Sequence, residues 1–424
     1  MTQSTPPVDS SALGSLVVVG LGYIGLPTAA MFASTGFDVT GVDISERAVK
    51  AVNSGTAHIE EGELDELVEH CVNASRLRAR MTPVAADNFI IAVPTPVGHD
   101  AIRTPDVSYI RAAGASIAPC LKKGDMVILE STSPVGTTRM LAEVLAEARP
   151  DLTFPHQAGD ECDVCLAYCP ERIIPGKMLQ ELVENDRIIG GMTPRCSERA
   201  SALYRSFVRG TCHISDDRTA EMVKLTENAF RDVNIAFANE LSMICSDLEI
   251  NAWEVIELAN RHPRVNILNP GPGVGGHCIA VDPWFIVASA PERAKLIRTT
   301  REINDGKTDF VIAQVEEAME KMPGTKVACL GLAYKADVDD FRESPAFTIA
   351  SVLSSRHGER ILSSDPYADA LPADAREKAN LTVVPPEEAL DEAGIIVLLV
   401  GHTAFRAFPR PQGKVLVDTV GYWR

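Results

Sequence analysis

Leu16-Val-Val-Val runs directly into Gly20-Leu-Gly22-Tyr23-Ile24-Gly25, and a helix-forming stretch follows from Leu26 to about Thr35. Nothing else in the chain restricts the fold as tightly, because the three glycines do separate jobs. Gly20 permits a tight turn out of a buried strand. Gly22 lets backbone approach a pyrophosphate, and Gly25 lets the helix pack close to the strand. The helix N-terminus then faces the phosphates. The next strand, Phe37-Asp-Val-Thr-Gly-Val-Asp43, ends in a carboxylate suited to a ribose 2′-OH and hostile to a 2′-phosphate. The predicted cofactor is therefore NAD.

Further strands are expected at Asn88–Val93 and Asp125–Glu130, each followed by Pro and Thr. From Ser215 to about Ile250 the pattern becomes one long helix. Ser215, Asp216 and Asp217 can cap it, and Met222, Leu225, Ala229, Val233, Phe237, Leu241 and Ile244 recur at helical spacing. After Pro323-Gly324 strands return at 326–331, 360–365, 395–400 and 414–418. The reading is α/β: two Rossmann-like, doubly wound parallel-sheet domains joined by a central helical domain with one long helix. The expected divisions are a disordered tail at 1–14, a NAD-binding domain at 15–212, a helical dimerisation and catalytic domain at 213–320, and a UDP-binding domain at 321–424.

The chain has 424 residues and a formal net charge of −18, which disfavours nucleic acid and anionic membrane as partners. No apolar run approaches the roughly 20 residues of a membrane helix. The first residues carry neither a basic nor an apolar leader. A cytoplasmic location and reduced thiols for the ten cysteines are expected.

Gly271-Pro-Gly-Val-Gly275-Gly-His-Cys278 is a glycine-rich loop ending in a thiol, with Pro283-Trp284 following where a helix could begin. A thiol there can approach a substrate carbon, whereas an isolated Cys is more often a small buried hydrophobe. Lys224 and Asn228 stand at i and i+4 on the long helix, with Arg231 near their face. Donors of that kind suit a developing alkoxide, although a solvated helix face is the plainer reading. Asp282 could orient water or Lys224, or simply cap the helix at Pro283. Glu171 could act as a base and Arg172 could meet a sugar acid. Thr95 and Thr132 end strands that line the cofactor crevice. Cys162, Cys165 and Cys169 have spacing that hints at metal, but no second CxxC completes a zinc site, so ordinary thiols and no metal are expected.

With these residues in view, the chain resembles the UDP-glucose/GDP-mannose dehydrogenase family. The likeness is carried by GLGYIGLPTA at Gly20, AVPTP at Ala92, STSPVGTT at Ser131, YCPER at Tyr168, KLTENAFRDVNIAFANE at Lys224, NRHPRVN at Asn260, PGPGVGGHCIAVDPWF at Pro270 and GLAYKADVDDFRESP at Gly331. The resemblance implies NAD-dependent oxidation of the C6 alcohol of a UDP-sugar to a carboxylate. Cys278 would be the nucleophile, Lys224 and Asn228 the oxyanion donors, and Asp282 and Glu171 the acids tied to hydrolysis. It implies substrate contacts from Arg172, Ile173, Lys224, Asn228, Arg231, His262, Arg264, Gly275, Tyr334 and Lys335. Gly20, Gly22, Tyr23, Ile24, Gly25, Asp43, Thr95, Thr132 and Arg342 would lie near NAD. It also implies a homodimer in which the region around Arg264 reaches a partner subunit. The segments at Asn260 and Gly275 resemble the branch acting on UDP-N-acetyl-D-mannosamine, for bacterial surface polysaccharide. UDP-glucose or UDP-N-acetylglucosamine as substrate, a two-electron hydroxyacid dehydrogenase and a non-catalytic nucleotide-sugar sensor are the alternatives.

Overall fold

The structure, a computed structural model, describes residues 14–423 apart from 60, 99, 101, 174–176 and 277. The expected tail at 1–14 lies outside the described residues save for Gly14, as does His277. The chain divides into two compact units, the first ending at Thr226 and the second beginning at Glu227.

The first unit is built on eight strands. They are β1 (Leu16–Val19), β2 (Val39–Val42), β3 (Leu77–Arg80), β4 (Asn88–Ile91), β5 (Met126–Leu129), β6 (Cys165–Tyr168), β7 (Arg187–Gly191) and β8 (Cys212–Asp216). Their order in the sheet is β3-β2-β1-β4-β5-β6-β7-β8. Helices cover both faces, so every residue of β1, β2, β4, β5 and β6 is buried. That explains their unbroken apolar runs. On one face the helix Gly25–Ser34 brings Phe32 against Phe37, Tyr204 and Phe207. On the other, Ile110, Ile117, Leu141 and Leu145 close over the sheet. Each such buried side chain contributes about 1.5–3 kcal/mol.

The expectation of a parallel sheet holds for β1–β6. β7 pairs antiparallel with β6, and β8 follows β7 in parallel. β8 runs through Asp216, so Ser215 sits in a strand rather than at a helix cap. Asp216 does cap, accepting from Thr219 N at 2.9 Å and Thr219 Oγ1 at 2.7 Å.

The long helix spans Asp217–Asp247 and contains the boundary between the units. Its apolar residues do not form one buried face. Leu225 and Ala229 are buried, whereas Met222, Phe237 and Ile244 are exposed.

The second unit continues with helices Ala252–Ala259, Asp282–Ser289 and Lys295–Lys321. Five strands follow: β9 (Val327–Leu330), β10 (Ile361–Ser364), β11 (Thr382–Val383), β12 (Ile395–Leu398) and β13 (Val415–Asp418), in the order β11-β10-β9-β12-β13, all parallel. Lys295–Lys321 joins the helical part to this sheet. Its Val311, Ile312, Val315 and Met319 pack in the sheet's core. Its Arg301 donates to Asp232 at 2.7 Å, and Asn304 donates to the same carboxylate at 2.7 Å. In each sheet the winding reverses beside the first strand, between β1 and β4 and between β9 and β12. In open α/β sheets that is where ligands bind, at the carboxyl ends of the strands.

Candidate active site

In the first unit the glycine turn has the geometry its spacing implies. Gly20 has φ +92°, and a methyl group there would lie 2.5 Å from the Ala92 carbonyl oxygen. One on Gly25 would lie 1.8 Å from the Gly20 carbonyl oxygen. At Gly22 nothing stands within 4 Å, so that side of the loop is open to a ligand. No side chain caps the helix that starts at Gly25, with Ile24 at its N-cap. Leu26 N donates to the Gly22 carbonyl at 3.1 Å and Pro27 has no N–H, so the Gly25 N–H is the donor that the helix start offers an anion. Asp43 Oδ2 accepts from Leu21 N and its Oδ1 from Ser45 N, both at 2.8 Å. This holds the carboxylate beside the turn with lone pairs left for ribose hydroxyls. Tyr23 is exposed at the turn. Thr95 Oγ1 donates to the Thr132 carbonyl at 2.6 Å, tying together the segments that follow β4 and β5. An open glycine turn, an uncapped helix start and a braced carboxylate fit NAD.

Two buried acids missed in the sequence stand behind this surface. Glu221, from the long helix, accepts from Gly136 N at 2.5 Å, Thr138 N at 2.8 Å and Thr138 Oγ1 at 2.7 Å. It thereby caps the helix Thr137–Ala148 from outside. Burial pushes its carboxyl up to about 7, against the hydrogen bonds it accepts. A folded-state value above the usual 4.5 means that the native state holds a proton the unfolded chain has lost. Stability from this group is full below about pH 4.5 and is lost as pH rises through about 7. Glu221→Gln is expected to lack this slope, so wild type should lose roughly 3 kcal/mol more than the variant between pH 4.5 and 8. Urea unfolding at the two pH values measures the difference; equal slopes would refute it.

The other acid is Glu130, which follows β5. It accepts from Tyr204 Oη at 2.5 Å, Thr28 Oγ1 at 3.3 Å and Arg187 at 3.4 Å. Burial pushes it up to about 7 despite Arg187. Arg187 lies 4.2 Å over the Tyr204 ring and also donates to Glu171. Burial opposes its charge, but Glu171, Tyr204 and Glu130 outweigh that and keep the guanidinium charged. Glu171 is thus held in a buried ion pair, with Arg172 N donating to its other oxygen at 2.8 Å. Arg172 donates to the Asp186 carbonyl, and Ile173 packs against the core.

In the second unit Cys278 is exposed at the end of the glycine loop. Its carbonyl accepts from Asp282 N at 2.8 Å and Val281 N at 3.1 Å, so the thiol residue begins the turn that leads into the helix Asp282–Ser289. Asp282 is 3% exposed and accepts from Asn228 Nδ2 at 2.5 Å. Asn228 lies one turn beyond Lys224 on the long helix, and both are 9% exposed. The structure therefore brings Asn228, Asp282 and the Cys278 turn together, as no sequence spacing could state. Gly275 is wedged in place: a methyl group there would meet the Glu343 carbonyl oxygen at 2.4 Å and Pro345 at 2.7 Å. Gly276 lies under the Tyr334 ring. Lys335 is exposed, and Arg342 is held by a two-point bond to Asp340 at 2.8 and 2.6 Å. Arg231, His262 and Arg264 are exposed. Asn260 clamps the loop that carries His262 and Arg264 through Ile267 N at 2.7 Å and the Ile267 carbonyl at 3.0 Å.

Two Rossmann-like sheets, an NAD turn and an exposed thiol beside a buried Asn–Asp pair define an NAD-dependent dehydrogenase. Three family models match the chain: the NAD binding domain of the UDP-glucose/GDP-mannose dehydrogenase family over residues 15–208, its central domain over 218–306 and its UDP binding domain over 328–424. The chain belongs to the UDP-glucose/GDP-mannose dehydrogenase family. It is 56% identical over 411 residues, 96% of each chain, to the NDP-N-acetyl-D-galactosaminuronic acid dehydrogenase of Ralstonia nicotianae. It is 53% identical over 423 residues, 97% of this chain and 100% of the other, to the UDP-N-acetyl-D-mannosamine dehydrogenase of Escherichia coli K12. The solved structure of the UDP-N-acetyl-mannosamine dehydrogenase Cap5O from S. aureus is similar, with TM-score 0.85, 44% identity and coverage of 97% and 96%. The chain is an oxidoreductase that uses NAD to oxidise a nucleotide sugar.

Proposed function

We propose that the substrate is UDP-N-acetyl-D-mannosamine, oxidised at C6 to UDP-N-acetyl-D-mannosaminuronate in the cytoplasm for a bacterial surface polysaccharide. The observation that carries the reading is the exposed Cys278 thiol on the turn that presents Asp282 to Asn228. Full-length likeness to enzymes named for that substrate supports the choice of sugar.

Alcohol to acid is a four-electron oxidation, and bound NAD supplies a two-electron acceptor in each of two rounds. In the first round Lys224, directly or through water, takes the proton from the C6 hydroxyl. Cys278 then adds to the aldehyde carbon, and the thiohemiacetal holds the half-oxidised sugar on the protein. Lys224 and Asn228 direct donors at the oxygen that becomes negative. The second round leaves a thioester on Cys278. Water oriented by Asp282 attacks it, and the acid departs as the thiol re-forms. Glu171 acts at one remove, since its carboxylate is already engaged by Arg187. Arg172, Ile173, Arg231, His262, Gly275, Tyr334 and Lys335 are the proposed substrate contacts, with Arg264 reaching a partner subunit and Arg342 near NAD.

A homodimer fits the surface of the long helix. Phe230, Phe237 and Ile244 are 68%, 55% and 49% exposed at seven-residue spacing, with Leu248 at 62% continuing the stripe. A helix seam buries such a stripe against a second copy.

The Ralstonia relatives favour a second reading, in which the sugar has the N-acetylgalactosamine configuration. A panel of UDP-N-acetylmannosamine, UDP-N-acetylgalactosamine, UDP-N-acetylglucosamine and UDP-glucose separates the two. UDP-N-acetylmannosamine should give the highest kcat/KM and about two NADH per sugar. Preference for UDP-N-acetylgalactosamine would replace the substrate. One NADH per sugar would overturn the covalent route, and a monomer in sedimentation would overturn the dimer.

A further inference from the structure

Cys162 lies in the loop before β6, Cys165 opens that strand, and Cys196 stands in the first turn of the helix Pro194–Tyr204. Their sulfur atoms all lie within 4.8 Å of one another, and the side chains are 2%, 0% and 0% exposed. The geometry points to a three-sulfur site in the NAD-binding unit for a soft d10 metal ion, Cu(I) being the ion whose coordination it fits.

The three cysteines lie in the hydrophobic core of this unit, and polar and cationic groups border them there. Thr193 caps the helix through Cys196 N at 3.3 Å, and its Oγ1 also donates to Cys196 Sγ at 3.2 Å. Arg199 and Arg195 add positive charge near Cys165. Among the described residues no fourth Cys, His, Asp or Glu joins the group. Zinc seeks four ligands, whereas Cu(I) accepts three sulfurs and prefers soft ones. Uptake forms three Cu–S bonds, sends to solvent the proton of each thiol that still carries one, and changes no oxidation state. The bound cluster carries two negative charges, matched by Arg195 and Arg199.

The full-length protein titrated anaerobically with Cu(I) against a chelator should bind one ion more than Cys165→Ser or Cys196→Ser, whose affinity at this site should fall at least about 100-fold. Protons should be released as the ion binds. Cys169→Ser should match wild type. X-ray absorption on wild type should count three sulfurs around the metal, a reading that does not depend on any variant folding. Equal uptake by wild type and Cys165→Ser, fewer than three sulfurs, or a Cys165–Cys196 disulfide forming under peroxide with no Cu(I) uptake would each overturn the site.

Discussion

Cys278→Ser is expected to cut formation of the uronate by about 10⁴-fold or more, the scale on which removal of a covalent nucleophile acts. The reason is a division of labour. Lys224 and Asn228 can still assist removal of the alcohol proton, but a serine hydroxyl is a far weaker nucleophile toward the aldehyde than a thiol. The aldehyde is then neither captured nor carried to a thioester. NADH release per sugar should fall from about two to one or less, with free aldehyde trappable by a hydrazine. Rapid-quench analysis with mass spectrometry reads both. A serine variant that still delivered two NADH and the acid would refute the role of the thiol.

Arg187→Met should be the most destabilising single change in the first unit. The guanidinium is 4% exposed and serves two carboxylates, Glu130 and Glu171, that are buried with it. Methionine fills part of the volume but leaves both acids without a cation. Breaking one side of a buried ion pair costs about 3–5 kcal/mol. The deficit should shrink as pH falls from 8 to 5. Glu130 already stands at about 7 through burial, and once protonated it no longer requires the cation. Denaturant unfolding at both pH values checks the size and the sign. A loss under about 1 kcal/mol, or one that grows toward acid, would contradict the assignment. Adding Glu171→Gln to Arg187→Met should recover part of the loss.

The sequence made the winding of both sheets legible because their central strands are short, wholly apolar and followed by glycine or proline. The edges were harder. Leu77-Arg-Ala-Arg alternates buried and exposed residues and reads as polar, yet forms β3. β7 opens on a buried arginine and ends on two glycines, so neither its existence nor its reversed direction could be read from composition. The site divided in the same way. Cys278, Lys224, Asn228, Asp282 and Asp43 stand out locally, and the bond from Asn228 to Asp282 closes a gap of 54 residues that no periodicity encodes. Glu130, Arg187 and Glu221 were missed because each is explained only by a partner distant in the chain. The cysteine spacing showed two members of the buried thiol group and not the third. Cys169 lies four residues beyond Cys165 along an extended strand, about 13 Å away at strand rise, too far to share an ion. Cys196, from another element, is the third member of the group.

The glycine turn after β1 has a consequence for reading natural variation. At Gly20 and Gly25 a side chain would collide with the protein's own carbonyl groups, whereas at Gly22 it would meet nothing. A mutational scan scored only by growth would mark all three as equally intolerant, yet for different causes. Loss at the outer two reports failure to fold, with or without nucleotide. Loss at the middle one reports obstruction of the dinucleotide in a chain that is otherwise intact.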